Sequence, residues 1–353
     1  GSTGTDPSQV IGSGPFRFVE WIAADHATME RWPDYWVPEM LPTIDRGTYR
    51  VVPDAATAIQ TLKTAESDIV NVPPQQISDF EGNPNVTVAR YDEWSWVAFC
   101  PNLNPASGTF FLQKDVRQAM MYALDRESMV SSILAGNATV AEGMQPLPSR
   151  AYAPDKLSTH YTFDVEKAKS LLDAAGWVDS DGDGIREKDG KKFSTELLFR
   201  DTGGTSAQVV TYLQQAWKAV GLDIAPRSTE GPAFSEAVIT SGKFELALIG
   251  ISWTDEDQSV LYRADSWPEK GGFNLSRYSN PDYDKLNTAQ LTEFDVAKRM
   301  AIIEASDNIL NDDVAVGVMY FTKGAVGYQN RLQNFTPNAY GSFWQMPFVW
   351  LKQ

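Results

Sequence analysis

GKFELALIGISWTDEDQSVL, residues Gly242 to Leu261, decides how the chain is read. Phe244, Leu246, Leu248 and Ile249 to Ile251 form an apolar run with little polar interruption, the pattern of a strand covered on both faces of a sheet. Ser252, Trp253, Thr254, Asp255, Glu256 and Asp257 follow at once, so an indole and three carboxylates arrive where a central strand leaves its sheet. In open α/β sheets that is where ligands bind. The competing reading is that Trp253 caps the core and the acids solvate a turn.

Just upstream, Thr195 to Phe199 and Leu222 to Ala225 read as strands, with helices over Ser206 to Val220, stopped by Gly221, and Phe234 to Thr240. The order is β, α, β, α, β, which predicts an α/β unit. Farther back, Asp115 starts a helix, Asp125 caps another that runs to Gly136, and Asp164 caps a third closed by Gly176. Between them Gly143 to Tyr152, GMQPLPSRAY, is an irregular proline-rich loop. Downstream, Pro281 to Leu291 and Val296 to Leu310 predict helices, and Val314 to Phe321 and Phe343 to Leu351 predict strands.

The first hundred residues hold strands at Pro15 to Ile22, Tyr49 to Val52 and Asp68 to Val72, and a helix from Ala55 capped by Pro53-Asp54. The β, α, β order there points to a parallel crossover. A short helix over Gln75 to Glu81 and two strands, Val86 to Ala89 and Trp94 to Phe99, come next. Pro101-Asn102-Leu103-Asn104-Pro105 reads as a crossing between lobes, because Pro and Asn do not extend a central strand.

A chain of 353 residues implies two or three domains. Thirty basic against 46 acidic residues leave a net charge of -16, which repels phosphate backbones and argues against nucleic acid as a partner. Cys100 stands alone, so no internal disulfide and no CxxC site exist. The leading residues lack the charged and apolar parts of a signal peptide.

Asp179-Ser180-Asp181-Gly182-Asp183-Gly184-Ile185-Arg186-Glu187 is the most specific local motif. Asp at positions one, three and five with Gly at six repeats the front half of an EF-hand loop, in which alternate oxygens converge on one hard cation. Position twelve should be a bidentate acid but is Gly190, and Glu187 at position nine is the available substitute. Asp179, Asp181, Asp183 and Glu187 are thus candidate ligands of a structural Ca2+. The competing reading is an acidic hairpin turn in which Gly184 and Gly190 supply positive φ. No other cofactor is called for.

Asp255 and Asp257 also admit an acid and base pair, as in glycoside hydrolysis. His26 and His160 are the only histidines, and GxSxG, P-loop and complete GxGxxG motifs are absent, so nucleophile triads and nucleotide binding lack support. Trp94, Trp96, Phe99, Trp253, Tyr320 and Phe321 lie at ends of inferred strands, as core residues or as flat apolar walls of a ligand site.

Seven runs resemble a known family: VIGSGPFRFVEW, ERWPDYW, VVPDAATAIQTLKTAESDIVNVPP, DVRQAMMYALDRESMV, FDVEKAKSLLDAAGWVDSDGDGIREKDGKK, GKFELALIG and LSRYSNPDYDKL. In this order they are similar to the family 5 extracellular solute-binding proteins, which include oligopeptide, dipeptide, nickel and glutathione receptors of ABC importers. The resemblance spans nearly the whole chain. It implies a two-lobed α/β fold of the type II periplasmic-binding kind. Lobe one would be residues 1–104 completed by return strands in 324–353, and lobe two residues 105–323. Family members carry a sizeable segment before the GSGPFRF region, so lobe one is expected to be incomplete and the chain an N-terminally truncated fragment.

The function implied is binding without chemistry: a monomer outside the cytoplasm, periplasmic or lipid-anchored, closes on a small peptide or similar solute and hands it to a membrane permease. The family's peptide receptors hold the ligand's amino end with an aspartate in the turn after this strand. Asp255 is the match, with Thr254 at the same offset from the glycine, and Ser252 and Trp253 beside it. Leu248 and Gly231 stand where the oligopeptide receptor has arginine and tryptophan, which disfavours long peptides. Asn71, Val72, Pro73 and Gln75, with Tyr320 and Phe321, correspond to ligand-facing stretches. Two alternatives stay open: a hydrolase using Asp255 and Asp257, and a fragment with no ligand affinity of its own.

Overall fold

The computed structural model describes residues 10–201, 205–340 and 343–352, so the leading stretch read for a signal peptide lies largely outside the described residues. Two compact units divide the chain, residues 1–92 with 323–353 and residues 93–322. In unit one, strands β1 (Phe16–Ile22), β2 (His26–Arg31) and β3 (Arg46–Arg50) form an antiparallel sheet in sequence order. Helix α1 (Ala55–Lys63) follows, its free amino end satisfied as anticipated by the Asp54 carboxylate, which accepts from Thr57 N at 2.7 Å. After β4 (Ile69–Asn71) and a 3₁₀ segment (Pro74–Phe80), β5 (Val86–Pro101) begins. The two short strands expected over 86–99 are this one strand.

β5 carries the chain into unit two between Asp92 and Glu93, ahead of the turn expected to mark the crossing. Pro101 still pairs with Leu246, and the Asn102 amide donates to the carbonyls of Gly242 and Phe244, both at 2.9 Å, so that turn is anchored inside unit two. Unit two continues through helices α2 (Lys114–Tyr122) and α3 (Arg126–Ser132), strand β6 (Ala138–Val140), α4 (Val165–Ala174) and the hairpin β7 (Glu187–Lys188) and β8 (Lys191–Lys192). Next come β9 (Ser194–Phe199), α5 (Ser206–Lys218), β10 (Asp223–Ser228), α6 (Gly231–Ser235), continued by a π-helical turn (Glu236–Thr240), and β11 (Leu246–Ser252). Helices α7 (Ser259–Tyr262), α8 (Pro281–Gln290) and α9 (Val296–Asp313) precede β12 (Gly317–Gln329).

The sheet of unit two runs β10-β9-β11-β5-β12, with β6 on β12. β9 is parallel to both β10 and β11, as the alternating pattern predicted, while β11 is antiparallel to β5 from Leu246↔Pro101 to Ser252↔Ser95. β11 is therefore central, and its Leu246, Ala247, Ile249 and Ile251 are buried. Trp217 of α5 is fully buried, edge-on to Phe99 at 5.4 Å, with its Nε1 donating to Met120 O at 3.1 Å. That bond lets an indole fill the core without an orphaned donor.

β12 returns the chain to unit one between Thr322 and Lys323, where its second half pairs antiparallel with β4. The parallel crossover expected around α1 is therefore absent: β3 pairs with β2, and β4 with β12. Periodicity identifies a strand but not its partner. The last elements, β13 (Leu332–Gln333) and β14 (Trp350–Leu351), form a short antiparallel pair. The strand expected over 343–351 is mostly a 3₁₀ segment, Phe343–Phe348, interrupted by Pro347, which has no N–H to give a ladder.

Candidate functional site

The loop 253–258 leaves the central strand β11 already shaped. Trp253 N donates to Trp94 O at 2.9 Å, and the indole Nε1 donates to Asp257 O at 2.7 Å. Asp255 Oδ1 accepts from Asp257 N at 2.9 Å, and Asp257 Oδ1 accepts from Ser259 N at 2.9 Å. These successive side-chain turns fix the backbone locally. Trp253 is half-buried, whereas Ser252, Thr254 and Asp255 are exposed. Among the acids, Glu256 alone is buried. Arg150 Nε donates to it at 2.9 Å and holds its carboxyl below the ordinary value.

The proline-rich stretch 143–150 forms a strap under this loop. Gln145 Nε2 donates to Glu256 O at 3.0 Å, and Gln258 Nε2 donates to Met144 O at 3.2 Å. The strap is tied in turn to α9, where Asp307 Oδ1 accepts from Met144 N at 2.8 Å. Gly143 has φ +83°, and a Cβ there would lie 2.5 Å from Asp307 Oδ2, so the carboxylate reaches the strap only because this residue is glycine. Gln145, Arg150, Gln258 and Asp307 were not anticipated as part of the site. The only sequence signal was the irregular GMQPLPSRAY loop itself.

In unit one, Asn71 ends β4, and Gln75 lies in the segment that follows; both are exposed. Val72 is buried, Pro73 is half-buried, and Val72 N donates to Ala325 O at 2.9 Å. Trp96, Tyr320 and Phe321 are buried among the core residues of unit two, with Phe321 edge-on to Tyr152 at 6.1 Å. Of the two readings of these three aromatics, their environment is that of core residues.

In the acidic loop, one ligand oxygen each from Asp179, Asp181 and Glu187 lies within 4.8 Å of the others. Asp183 turns elsewhere and is bonded to the Lys192 ammonium, which is also 2.9 Å from Asp181. This lysine is the main reason the Asp183 carboxyl lies below its ordinary value. Asp179 accepts from Gly182 N at 2.8 Å and Gly184 N at 3.0 Å, and Gly182, Gly184 and Gly190 all have positive φ. Glu187 Oε1 accepts from Ser180 N, while its Oε2 is buried without a hydrogen-bond partner.

Residues 1–272 match the family described as bacterial extracellular solute-binding proteins, family 5 Middle. The oligopeptide-binding protein AppA of Bacillus subtilis is 33% identical over 278 residues, covering 78% of this chain and 50% of AppA. The glutathione-binding protein GsiB of Shigella dysenteriae is 27% identical over 309 residues, 85% of this chain and 56% of GsiB. The chain thus spans about half the length of these curated relatives. The solved structure of Bacillus subtilis AppA in complex with a nonapeptide superposes with a TM-score of 0.81 at 28% identity, over 98% of this chain and 68% of that one. NikZ from Campylobacter jejuni, solved with Ni(L-His), shares the fold with a TM-score of 0.84 at 21% identity, over 100% and 70%. A hydrolase built on Asp255 and Asp257 finds no support among these relatives, which are binding proteins. The fold is that of type II periplasmic binding proteins, and the chain belongs to the family 5 bacterial extracellular solute-binding proteins.

Proposed function

We propose that this chain forms the ligand-holding part of the extracytoplasmic receptor of an ABC importer, and that it takes a short peptide or similar small solute with a cationic amino end for delivery to a membrane permease. Binding is without chemistry. The observation that carries the reading is the loop after β11, where Trp253 Nε1 and Asp255 Oδ1 are committed to the loop's own backbone while the Asp255 carboxylate remains exposed. An ammonium docked on a carboxylate held this way gains a charge-assisted hydrogen bond without first ordering the loop. Among the described residues no helix is long and apolar enough to cross a membrane.

The test is a thermal-shift series of free and N-acetylated di- and tripeptides against the protein and its Asp255→Asn variant. Free peptides are expected to raise the melting temperature by mass action, acetylated ones and the variant much less. Equal shifts for free and acetylated peptides would refute the role of Asp255. Absence of any shift would favour a fragment without affinity of its own.

For the acidic loop we propose a structural Ca2+ held by Asp179, Asp181 and Glu187. Their convergence supports it, as does the unpartnered Glu187 Oε2. Lys192 competes for Asp181. Calcium should raise the melting temperature, EDTA should reverse the rise, and Asp181→Ala should abolish the response. A wild-type protein indifferent to both additions leaves only the hairpin-turn reading.

A further inference from the structure

Beside the 253–258 loop, buried polar side-chain atoms without hydrogen-bond partners gather on two neighbouring helices. Gln258 Oε1, just before α7, and Tyr262 OH, at its end, are two of them, and Asn287 Oδ1 and Gln290 Nε2 on α8 are two more. None of these four residues is more than 5% exposed. The helices are in contact here, with the Tyr262 and Tyr283 rings edge-on at 6.4 Å. A folded interior leaves few buried polar atoms unsatisfied, so a group of them calls for a common cause.

Gln258 and Asn287 both line a small chamber that is closed on the α9 side by Ile303, Asp307 and Leu310. It has about 10 Å³ of room for the centre of a water-sized guest, roughly one water's worth. Cavities that stay dry are lined by apolar groups, and apart from Ile303 and Leu310 this one is polar. The Gln258 amide nitrogen is anchored on Met144 O at 3.2 Å, and that of Asn287 on the Tyr283 hydroxyl at 3.4 Å. The carbonyl ends of the two amides are left for the chamber.

We infer that the chamber is an internal hydration site, in which one water held between Gln258 Oε1 and Asn287 Oδ1 joins the end of the 253–258 loop to α8. A water donates to both carbonyls and accepts from the second N–H that each amide retains, which gives the three bonds usual for an internal water. This mixture of acceptors and donors suits a guest that both donates and accepts. A metal ion is a poorer match, because it would face those N–H groups, and the three carboxylates of the wall are already engaged. Glu256 is paired with Arg150, Asp257 Oδ1 accepts from Ser259 N, and Asp307 Oδ1 accepts from Met144 N. Buried carbonyls without a donor are costly, so the water counts among the supports of the loop, beside the bonds of the strap. Only the importance of the loop for ligand rests on the function proposed above; the hydration site is a property of unit two.

The experiment is magnetic relaxation dispersion of the water oxygen on the full chain without ligand, which counts waters held inside for longer than the protein takes to tumble. Asn287→Leu keeps the outline of the side chain and removes its amide. Its dispersion amplitude is expected to fall below that of wild type by one water, with a cooperative melting curve showing that it is folded. Gln258→Met supplies a second reading if Asn287→Leu folds poorly, and it should lose the same water. The double variant should lose no more than either single one. An unchanged amplitude in a folded variant, or separate losses that add in the double variant, would overturn the inference. A crystal structure of the ligand-free wild type checks the position independently: a water about 2.7–3.0 Å from both carbonyl oxygens is expected. Protein donors bonded directly to both oxygens, or a metal ion in the chamber, would be evidence against it. Because no ligand is used, these outcomes are independent of whether peptides bind.

Discussion

Replacing Asp307 by Asn should make the protein more stable at neutral and alkaline pH and leave it nearly unchanged in acid. Burial shifts this carboxyl from 3.8 to about 7. The folded state therefore holds its proton over a range in which the unfolded chain has released it. Stability from this group is fully present below about pH 4 and is lost as pH rises to about 7, after which the loss is constant. Each pKa unit corresponds to 1.36 kcal/mol, so the gap gives a ceiling of about 4 kcal/mol. Asn keeps an oxygen for Met144 N and offers its N–H groups to a chamber lined by unpaired acceptors. For a unit of this size 1 kcal/mol moves the melting temperature by about 2–4 °C, so the variant should melt above wild type at pH 8, by at most roughly 10 °C, and level with it near pH 4. Melting both proteins across that range in matched buffers cancels every other titrating group. Curves that stay parallel would refute the reasoning, because the difference between them contains only this proton.

Three further substitutions probe the frame around the site. At Gly317, an added Cβ would lie 2.1 Å from two carbons of the Phe99 ring, so Gly317→Ala should cost at least about 1–3 kcal/mol by overpacking, read as a lower urea midpoint. Trp217→Ala empties a fully buried indole site and leaves Met120 O without its donor, a loss of about 3–5 kcal/mol by the same assay. Asp164→Ala removes the carboxylate that accepts from Lys167 N at the start of α4 and should cost about 1 kcal/mol, measured by thermal melting. A neutral outcome for Asp164→Ala would mean that α4 is held by packing alone.

Much of the fold is local chemistry and could be read from the chain. Asp54, Asp125 and Asp164 each accept from the backbone N–H three residues on, as their positions before apolar-periodic stretches predicted. Gly136, Gly176 and Gly221 all have positive φ where helices were expected to stop. The apolar run before Ser252 marked a central strand because both faces of β11 must be covered. The seven family-like runs carried the fold class for the same reason: each is a contiguous segment.

What the tertiary structure decided was partnership, which no local pattern encodes. β4 and β3 look like neighbours across α1, yet one pairs with β12 and the other with β2. Trp96, Tyr320 and Phe321 suit a ligand wall or a core equally well, and packing gave them to the core. Asp307 shows the same divide most clearly. On α9 it reads as one polar residue among several, and it becomes a buried, displaced carboxyl only because a strap more than 150 residues away crosses it at a glycine. Burial is set by whatever folds on top of a residue, and a sequence read segment by segment does not contain that cover.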